Sequence, residues 1–146
     1  MIKFLKINEP YGCFSNFSRH SVKTADGKVW PRSEHLYQAL KFNDVAVQEG
    51  IRSIANPKEA KEYGYQFKDK LRLEWEDVKY GTMLYVCRLK LLQHNDIMDC
   101  LLSTDDQMIV ENSLFDSTWG CGKDGKGLNL LGKVWEELRY EITKNN

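Results

Sequence analysis

The fold prediction starts from residues Ser33 to Phe42, which read S-E-H-L-Y-Q-A-L-K-F. Trp30 and Pro31 close the segment before this stretch. Ser33 has the side chain of a good N-cap, because its hydroxyl can accept a hydrogen bond from an unpaired first-turn amide. We therefore predict a helix that begins at Glu34.

This helix is predicted to have two different faces. Helical spacing puts an apolar side at Leu36, Ala39 and Leu40, and a polar stripe at Glu34, Gln38 and Lys41 with Tyr37 along its edge. Glu34 lies in the first turn, where the helix dipole and free amides favour the ionised carboxylate. Such an anion suits the stabilisation of positive charge. The alternative is a solvated outer face, with Glu34 placed for helix stability.

Length and composition predict one domain spanning residues 1–146, long enough for a core without disulfides or metal. Hydrophobic residues make up 42% of the chain, and the 21 basic and 21 acidic residues cancel. The zero net charge excludes a general electrostatic attraction to nucleic acid or to an anionic membrane. It does not exclude a local basic groove. With no apolar run of membrane-spanning length and no signal peptide, we expect a cytoplasmic protein that does not engage membranes.

Cysteine and histidine usage indicates neither a metal site nor a disulfide framework. Cys13, Cys87, Cys100 and Cys121 form no C-x-x-C pair and have no histidine at zinc-ligand spacing. We interpret them as reduced thiols, with Cys87 in the core and Cys121 in a loop. No Ser-His-Asp motif and no G-x-S-x-G elbow is visible.

The remaining pattern predicts an α+β fold that is predominantly α-helical, with a small N-terminal β element. Short strands are expected within Ile2 to Ile7, on either side of Asp26-Gly27 as a hairpin, and at Met108 to Val110. Helices are expected at 44–54, from Pro57 with Asn56 as cap and Gly64 as stop, at 75–94, at 96–102 with Asn95 as cap, and from Asn129 onward.

The segment from Glu111 to Asn129 is a second candidate for function. It holds four glycines between 120 and 127, which allow close approach of the backbone to a ligand, and free amides at the following helix start can hold phosphate. Asn129 would cap that helix or donate to a ligand. The alternative is a surface loop anchored by Trp119.

Carboxylates beside aromatic residues suggest the type of chemistry. Glu34, Glu111 and Asp116 all have aromatic neighbours in the sequence. A carboxylate can face a developing oxocarbenium ion while a stacked aromatic ring holds the departing group. The combination therefore favours cleavage of a glycosidic bond.

Eight motifs in register extend this interpretation. They are Phe14-Ser15-Asn16-Phe17, Trp30-Pro31-x-Ser33-Glu34-His35-x-Tyr37-Gln38-x-x-Lys41-Phe42, Pro57-x-x-Ala60-Lys61-x-x-Gly64, Trp75-x-x-Val78-Lys79-x-x-x-Met83, Leu101-Leu102-x-Thr104, Val110-Glu111, Asp116-x-x-Trp119-Gly120 and Gly125-x-Gly127-x-Asn129-x-Leu131-Gly132. With these motifs, the chain from Tyr11 to about Glu141 resembles the YbiA-like NADAR family of N-glycosidases.

The resemblance implies hydrolysis of the bond between a ribose phosphate and a nitrogen. It implies a YbiA-like fold and, as substrates, phosphorylated riboflavin-pathway intermediates that carry a ribosylated amino-pyrimidine. Related NADAR proteins remove ADP-ribose from guanine, so ADP-ribosylated nucleic acid is the alternative substrate. A non-catalytic sensor of ADP-ribose or nucleotides is the alternative from another class. The hydrolytic reaction needs no metal and no cofactor.

The resemblance also implies roles for particular residues. Glu34 is the expected principal catalytic carboxylate, and Asp116 with Trp119 is the expected loop that closes the pocket. As a hypothesis apart from the resemblance, Asp116 or Glu111 supplies or takes a proton. Lys41 is expected to hold phosphate or, with the guanine substrate, to form an imine. The expected substrate-binding residues are Asn16, Phe17, Gln38, Trp75, Lys79, Glu111, Trp119, Gly120 and Asn129, with Trp75 and Trp119 against the base.

One departure from the family pattern concerns the phosphate. Relatives usually continue Gly64 with an arginine, where this chain has Tyr65. If that arginine binds the phosphate in relatives, another basic residue must make this contact in the present chain. The candidates are Arg52, Lys61, Arg72 and Lys79.

Overall fold

The computed structural model describes residues 1–144 of the chain. These residues form two compact units, each with its own internal contacts. The central unit is Arg19–Lys90, and the terminal unit combines Met1–Ser18 with the chain from Leu91 onward. The single domain over residues 1–146 stays a prediction, and residues 145 and 146 lie outside the described part.

The elements confirm an α+β fold dominated by helices. In chain order they are β1 (Ile2–Phe4), β2 (Val22–Lys23), β3 (Val29–Trp30), α1 (Ser33–Ala39), α2 (Val45–Ser53), α3 (Pro57–Tyr65), α4 (Trp75–Gln93), α5 (Asn95–Ser103), β4 (Ile109–Glu111) and α6 (Leu130–Lys144). Short 3-10 turns at Gly12–Phe14 and Lys68–Lys70 complete the described structure.

The first helix of the central unit starts one residue earlier than predicted. Ser33 is already helical, and Arg32 before it has the extended backbone of a cap position but makes no side-chain cap bond. The prediction of Ser33 as N-cap is therefore wrong. The physical reason is that a capping hydroxyl must sit outside the helix, whereas Ser33 lies inside it and is fully buried.

Every residue of α1 is buried, including Glu34 and Gln38 of the polar stripe, whereas Lys41 lies beyond the end of the helix and is half-buried. In the central unit this helix packs against α2, α3 and β3. The alternative of a solvated outer face is therefore wrong. Because a buried polar group needs a partner to offset its lost hydration, the polar residues of α1 must be held by specific interactions.

The two helices that follow have side-chain caps, of which the one at Asn56 was predicted. Asp44 accepts a hydrogen bond from the amide of Val47, and Asn56 accepts from the amides of Lys58 and Glu59. Gly64 does not stop α3, which continues to Tyr65. A glycine ends a helix where the backbone turns left-handed, and Gly64 is absent from the glycines with positive φ.

The predicted hairpin is present. Strands β2 and β3 pair antiparallel, with Val22 opposite Trp30. Gly27 has a φ of 88°, a left-handed conformation that favours glycine, and Asp26 Oδ1 accepts from the amide of Lys28 at 3.1 Å.

In the terminal unit, the two ends of the sequence meet in a small parallel sheet. Strand β1 pairs with β4, with Ile2 opposite Ile109. Helix α6 packs on β4 so closely that any side chain at Gly132 would collide with the carbonyl oxygen of Ile109. Trp135 is fully buried in the same core and donates its indole N–H to the carbonyl of Phe14 at 3.0 Å.

Helix α5 starts one residue earlier than predicted. Asn95 is the first residue of α5 and not its cap, since His94 holds the extended cap position. The cysteines are thiols as predicted, with Cys87 fully buried and Cys121 in the loop before α6. Within residues 1–144, no helix is long and apolar enough to cross a membrane. The cytoplasmic location stays a prediction.

Candidate active site

Glu34 is a buried carboxylate in the first turn of α1, with only 6% of its surface exposed. One turn later on the same helix, Gln38 donates a hydrogen bond from Nε2 to Glu34 Oε1 at 2.8 Å. Gln38 is itself 3% exposed. The amide thus fixes one carboxylate oxygen at a position largely shielded from water, where an anion interacts strongly with any positive charge brought close to it.

Lys41 follows α1 and lies against two aromatic rings. Its Nζ is 5.6 Å from the ring centroid of Tyr37 and 5.9 Å from that of Trp75, within the range of cation–π interaction. The two rings contact each other with centroids 5.4 Å apart. The aromatic pair therefore holds the ammonium group while leaving its N–H donors available to other groups.

The environment lowers the pKa of Lys41 below its ordinary value. Burial is the main cause, because it disfavours the charged ammonium, and the positive charges of Lys61 and Lys79 act in the same direction. The carboxylates of Glu34 and Glu76 oppose the effect. Lys41 and Glu34 are thus electrostatically coupled, and Lys41 loses its proton more readily than a surface lysine.

Helix α4 supplies two further predicted site residues. Trp75 is its first residue and is 5% exposed. Lys79, one turn later, forms an ion pair with Glu76, with Nζ 2.6 Å from Oε2. The ion pair holds Lys79 at an exposed carboxylate, so a bound anion would compete with Glu76 for this lysine.

The other predicted catalytic residue, Asp116, organises a turn in the terminal unit. Its Oδ1 accepts hydrogen bonds from the amides of Thr118 at 2.9 Å and Trp119 at 2.8 Å. This is the arrangement of an Asx turn, in which a carboxylate replaces a backbone acceptor. Asp116 therefore has a structural role in the loop, and its catalytic role stays a prediction.

The glycine-bearing loop does not present the free amides expected for phosphate. The first two amides of α6, at Leu130 and Leu131, donate to the carbonyls of Thr118 and Trp119. The expectation that these amides hold phosphate is wrong, because the loop folds back on the helix start and uses them itself. Two of the loop's glycines serve its close packing. A Cβ at buried Gly120 would lie 2.9 Å from the carbonyl oxygen of Asp116, and a Cβ at Gly127 would lie 2.6 Å from the carbonyl oxygen of Gly120.

The side chain of Asn129 is bonded to β4 and does not cap α6, and its substrate-binding role stays a prediction. Its φ is 52°, and its amide group bridges the backbone of β4, accepting from Glu111 N–H and donating to Ile109 O, both at 2.9 Å. An amide carries both a donor and an acceptor, so it can occupy two backbone groups of one strand at once. Asn129 therefore joins the helix start to β4.

The structure places the predicted residues in two groups, one in each unit. The central unit brings together Glu34, Gln38, Lys41, Trp75 and Lys79, and the terminal unit holds Asn16, Phe17, Glu111, Asp116, Trp119, Gly120 and Asn129. In the terminal unit Asn16 is buried, while Phe17 and Glu111 are half-buried. The binding roles of both groups stay predictions.

Two residues of the central group were not identified as site residues from the sequence. Tyr37 forms the ring pair with Trp75, and Glu76 binds Lys79. The spacing of Glu76 and Lys79, three residues apart on a helix, is a sequence signal that predicts such an ion pair. The contact of Tyr37 with Trp75 has no local signal, because the two residues lie on different helices.

Comparisons with known proteins show the family of the chain. A family model described as the NADAR domain matches residues 3–143. N-glycosidase Npun_R5314 of Nostoc punctiforme is 44% identical over 144 residues, which covers 97% of this chain and 92% of that protein. N-glycosidase YbiA of Escherichia coli is 40% identical over 142 residues, covering 97% and 88% of the two chains. The NMR structure of YbiA has a TM-score of 0.89 and covers 99% of this chain and 85% of that one.

A longer relative has a more specific name. Riboflavin biosynthesis protein VVA0006 of Vibrio vulnificus is 35% identical over 144 residues, which covers 99% of this chain but 39% of that protein. Together the fold and these relatives define the class, and the chain is a hydrolase of N-glycosyl bonds, an N-glycosidase. The chain belongs to the NADAR domain family.

Proposed function

We propose that this N-glycosidase hydrolyses the bond between ribose and nitrogen in phosphorylated riboflavin-pathway intermediates. The observation that carries the proposal is the buried Glu34 carboxylate, fixed by Gln38 and electrostatically coupled to Lys41. The riboflavin name of the Vibrio vulnificus relative supports the substrate class. The substrate is a small molecule, a ribosylated and phosphorylated amino-pyrimidine.

The proposed reaction is hydrolysis at the anomeric carbon. As the bond from carbon to nitrogen lengthens, the ribose gains oxocarbenium character, which the ionised Glu34 stabilises. A water molecule oriented by Glu34 adds its oxygen to the anomeric carbon and gives up a proton, while the departing nitrogen takes the bonding electrons and gains a proton. The products are a free amino-pyrimidine and ribose phosphate.

The aromatic residues of the central unit would hold the base in this scheme. The ring pair of Tyr37 and Trp75 is preassembled, with centroids 5.4 Å apart. A heterocycle stacked on an aromatic ring is oriented without needing a charge on either group. We assign the proton transfer to Asp116 or Glu111 as a hypothesis that substitution can test.

Product analysis tests the substrate. The purified protein is incubated side by side with a ribosylamino-pyrimidine phosphate and with guanine-linked ADP-ribose, and the products are identified by mass spectrometry. We expect free amino-pyrimidine and ribose phosphate from the first substrate. Cleavage of neither compound would contradict the proposed substrate class, and preferential cleavage of the second would favour the alternative below.

A second candidate is hydrolysis of ADP-ribosylated guanine in nucleic acid. The observation that favours it is Lys41, whose lowered pKa increases the fraction of neutral amine able to attack an opened sugar. This candidate predicts that borohydride traps a covalent adduct between protein and sugar, and that Lys41→Ala abolishes both adduct and turnover. The neutral net charge of the chain gives no general attraction to nucleic acid, so the modified base would be read locally.

The same incubation tests a non-catalytic sensor. A binding module would retain the intact ligand and release no free base. The coupled pair of Glu34 and Lys41 argues against this candidate, since buried ionisable groups cluster at catalytic sites more than simple binding requires.

A further inference from the structure

A phosphorylated substrate needs a cation to bind its phosphate, and the central unit holds the four basic residues named above as replacements for the missing arginine, which are Arg52, Lys61, Arg72 and Lys79. Two of them are engaged elsewhere. Arg52 is bound to Glu49, with Nη2 2.7 Å from Oε2. Arg72 is bound to Glu74, with Nε 2.8 Å from Oε1, and also donates to the carbonyl of Leu40. Their guanidinium groups thus hold together the segments around them.

The remaining two candidates are lysines, and they differ in their partners. Lys79 is held in its ion pair with Glu76. Lys61, on α3, is half-buried, and its ammonium makes no ion pair and no side-chain hydrogen bond with any residue from 1 to 144. An ammonium group without an ion-pair or hydrogen-bond partner keeps its donors available to a bound anion.

The unpaired ammonium of Lys61 acts on Lys41 of the candidate active site. Lys61 and Lys79 lower the pKa of Lys41, and the carboxylates of Glu34 and Glu76 oppose them. Lys79 is paired with Glu76, whereas Lys61 has no partner of its own among residues 1–144.

The packing of the helices explains why Lys61 and Lys41 act on each other. Helix α3 packs against α1, and a Cβ at Gly64 would lie 3.5 Å from the ring of Phe42. Gly64 is one turn after Lys61 on α3, and Phe42 directly follows Lys41. The contact of Gly64 with Phe42 therefore brings the segments that carry the two lysines together.

We propose that Lys61 binds the phosphate group of the substrate and so makes the enzyme selective for phosphorylated ribosides. This inference rests on the proposed function and assigns the phosphate contact within it. A phosphate dianion offers acceptor oxygens and an opposite charge to the unpaired ammonium of Lys61. Lys61 is a specificity-determining residue, and Glu34 performs the chemistry.

The test compares a ribosylamino-pyrimidine phosphate with the same compound after removal of its phosphate by a phosphatase. Steady-state kinetics are measured for the wild type, Lys61→Ala, Lys61→Gln and Lys61→Arg. The matched control is Lys58→Ala, which removes an exposed lysine one turn earlier on the same helix. Circular dichroism checks that each variant folds. If Lys61→Ala does not fold, Lys61→Gln takes its place, because glutamine retains most of the aliphatic stem.

For the phosphorylated substrate, we expect Lys61→Ala to raise KM by about tenfold or more, as for the loss of a charge-assisted hydrogen bond, and to change kcat little. For the dephosphorylated substrate, the variant should match the wild type. Lys61→Arg should restore most of the affinity, and Lys58→Ala should have no effect. An equal rise in KM for both substrates, or no rise for either, would overturn the assignment of Lys61 to the phosphate group.

Inorganic phosphate provides a readout that does not depend on the proposed substrate. Its binding is followed by chemical-shift changes in NMR spectra. We expect phosphate to bind the wild type and the Lys58→Ala variant, and to bind the Lys61→Ala variant at least several-fold more weakly. Equal binding to all three would overturn the role of Lys61. If the wild type cleaves neither riboside but shows this difference, the proposed substrate is wrong and the phosphate site stands.

Discussion

The side-chain amide of Gln38 donates a 2.8 Å hydrogen bond to Glu34 Oε1 inside the protein, one helical turn away on α1. The bond holds a carboxylate that is almost fully shielded from solvent. A carboxylate in such a place interacts with a developing positive charge without first reorganising water. This relationship supports the proposal that Glu34 is the principal catalytic carboxylate.

The first prediction concerns Glu34→Gln, which keeps the shape of the side chain and removes its charge. We expect turnover to fall by about 100-fold or more, as for loss of a preorganised electrostatic group. The far-UV circular dichroism spectrum should stay unchanged. Glu62→Gln, at an exposed position on α3, is the control. Near-normal turnover of Glu34→Gln would remove the basis of the proposed mechanism.

The second prediction concerns Gln38→Leu, which removes the donor to Glu34. Hydrogen bonds to charged groups contribute about 1.5–3 kcal/mol, so kcat/KM should fall by about tenfold or more. If Gln38 acts by positioning Glu34, the same substitution should have little effect when Glu34 is already glutamine. Additive losses in the double variant would instead mean that Gln38 acts on the substrate or the fold independently.

The third prediction separates two roles of Asp116. Asparagine retains the Oδ1 that accepts from Thr118 and Trp119, but it cannot transfer a proton. If Asp116 is a general acid or base, Asp116→Asn should lower kcat by about 100-fold at an unchanged melting temperature. Asp116→Ala should in addition reduce stability by about 1 kcal/mol through loss of the turn. Full activity of Asp116→Asn would restrict this residue to its structural role.

The fourth prediction follows from the lowered pKa of Lys41. Between that lowered pKa and the ordinary value of 10.5, the unfolded chain binds more protons than the folded chain, so stability should rise with pH in this window. Lys41→Met removes the buried ammonium and should raise the melting temperature at pH 7 by a few degrees. The gain should shrink as the pH approaches 10.5. A gain independent of pH, measured in thermal melts against Lys58→Met, would contradict this.

The fifth prediction concerns His35, which is fully buried with Nε2 2.7 Å from the carbonyl oxygen of Ile54. Nε2 donates to that carbonyl, and the other ring nitrogen, Nδ1, is buried without a hydrogen-bond partner in residues 1–144. Burial lowers the pKa of His35 below 6.5, so the unfolded chain takes up protons first and stability falls as the pH drops from about 6.5 through the lowered pKa.

Replacement of His35 by glutamine tests this acid sensitivity. Glutamine can still donate to Ile54 but has no proton to gain. We expect His35→Gln to melt a few degrees lower than the wild type at pH 7.5 and to lose less stability between pH 6.5 and pH 5. His20→Gln, at a half-buried position, is the control that should retain the wild-type slope. An unchanged slope in His35→Gln would show that other groups govern acid unfolding.

Local sequence signals predicted most elements and missed details that depend on packing. The caps at Asp44 and Asn56 were predictable because a capping side chain bonds to amides two or three residues later. Ser33 has the same local signal, yet it lies inside α1. The start of α1 was decided by the burial of the whole helix, which local helix propensity does not describe.

The candidate site likewise combines features that local sequence predicts with features that depend on packing. Glu34, Gln38 and Lys41 were predictable as neighbours, because helical periodicity places them on one side. The coupling of Lys41 to Lys61 was not predictable, since it requires α3 to pack against α1. The use of the α6 amides by the loop likewise depends on contacts between residues twelve positions apart, such as Leu130 with Thr118.

The sequence by itself determined the helix-dominated fold class, the residues that share the polar side of α1, and the family, because these depend on local spacing and on motifs in order. Only the tertiary structure decided that Glu34 and Gln38 on this side are buried, that the side chain of Asn129 is bonded to β4, and that Lys61 has no partner among residues 1–144. Burial and side-chain pairing depend on residues distant in the chain that meet only after folding, so no local pattern contains them.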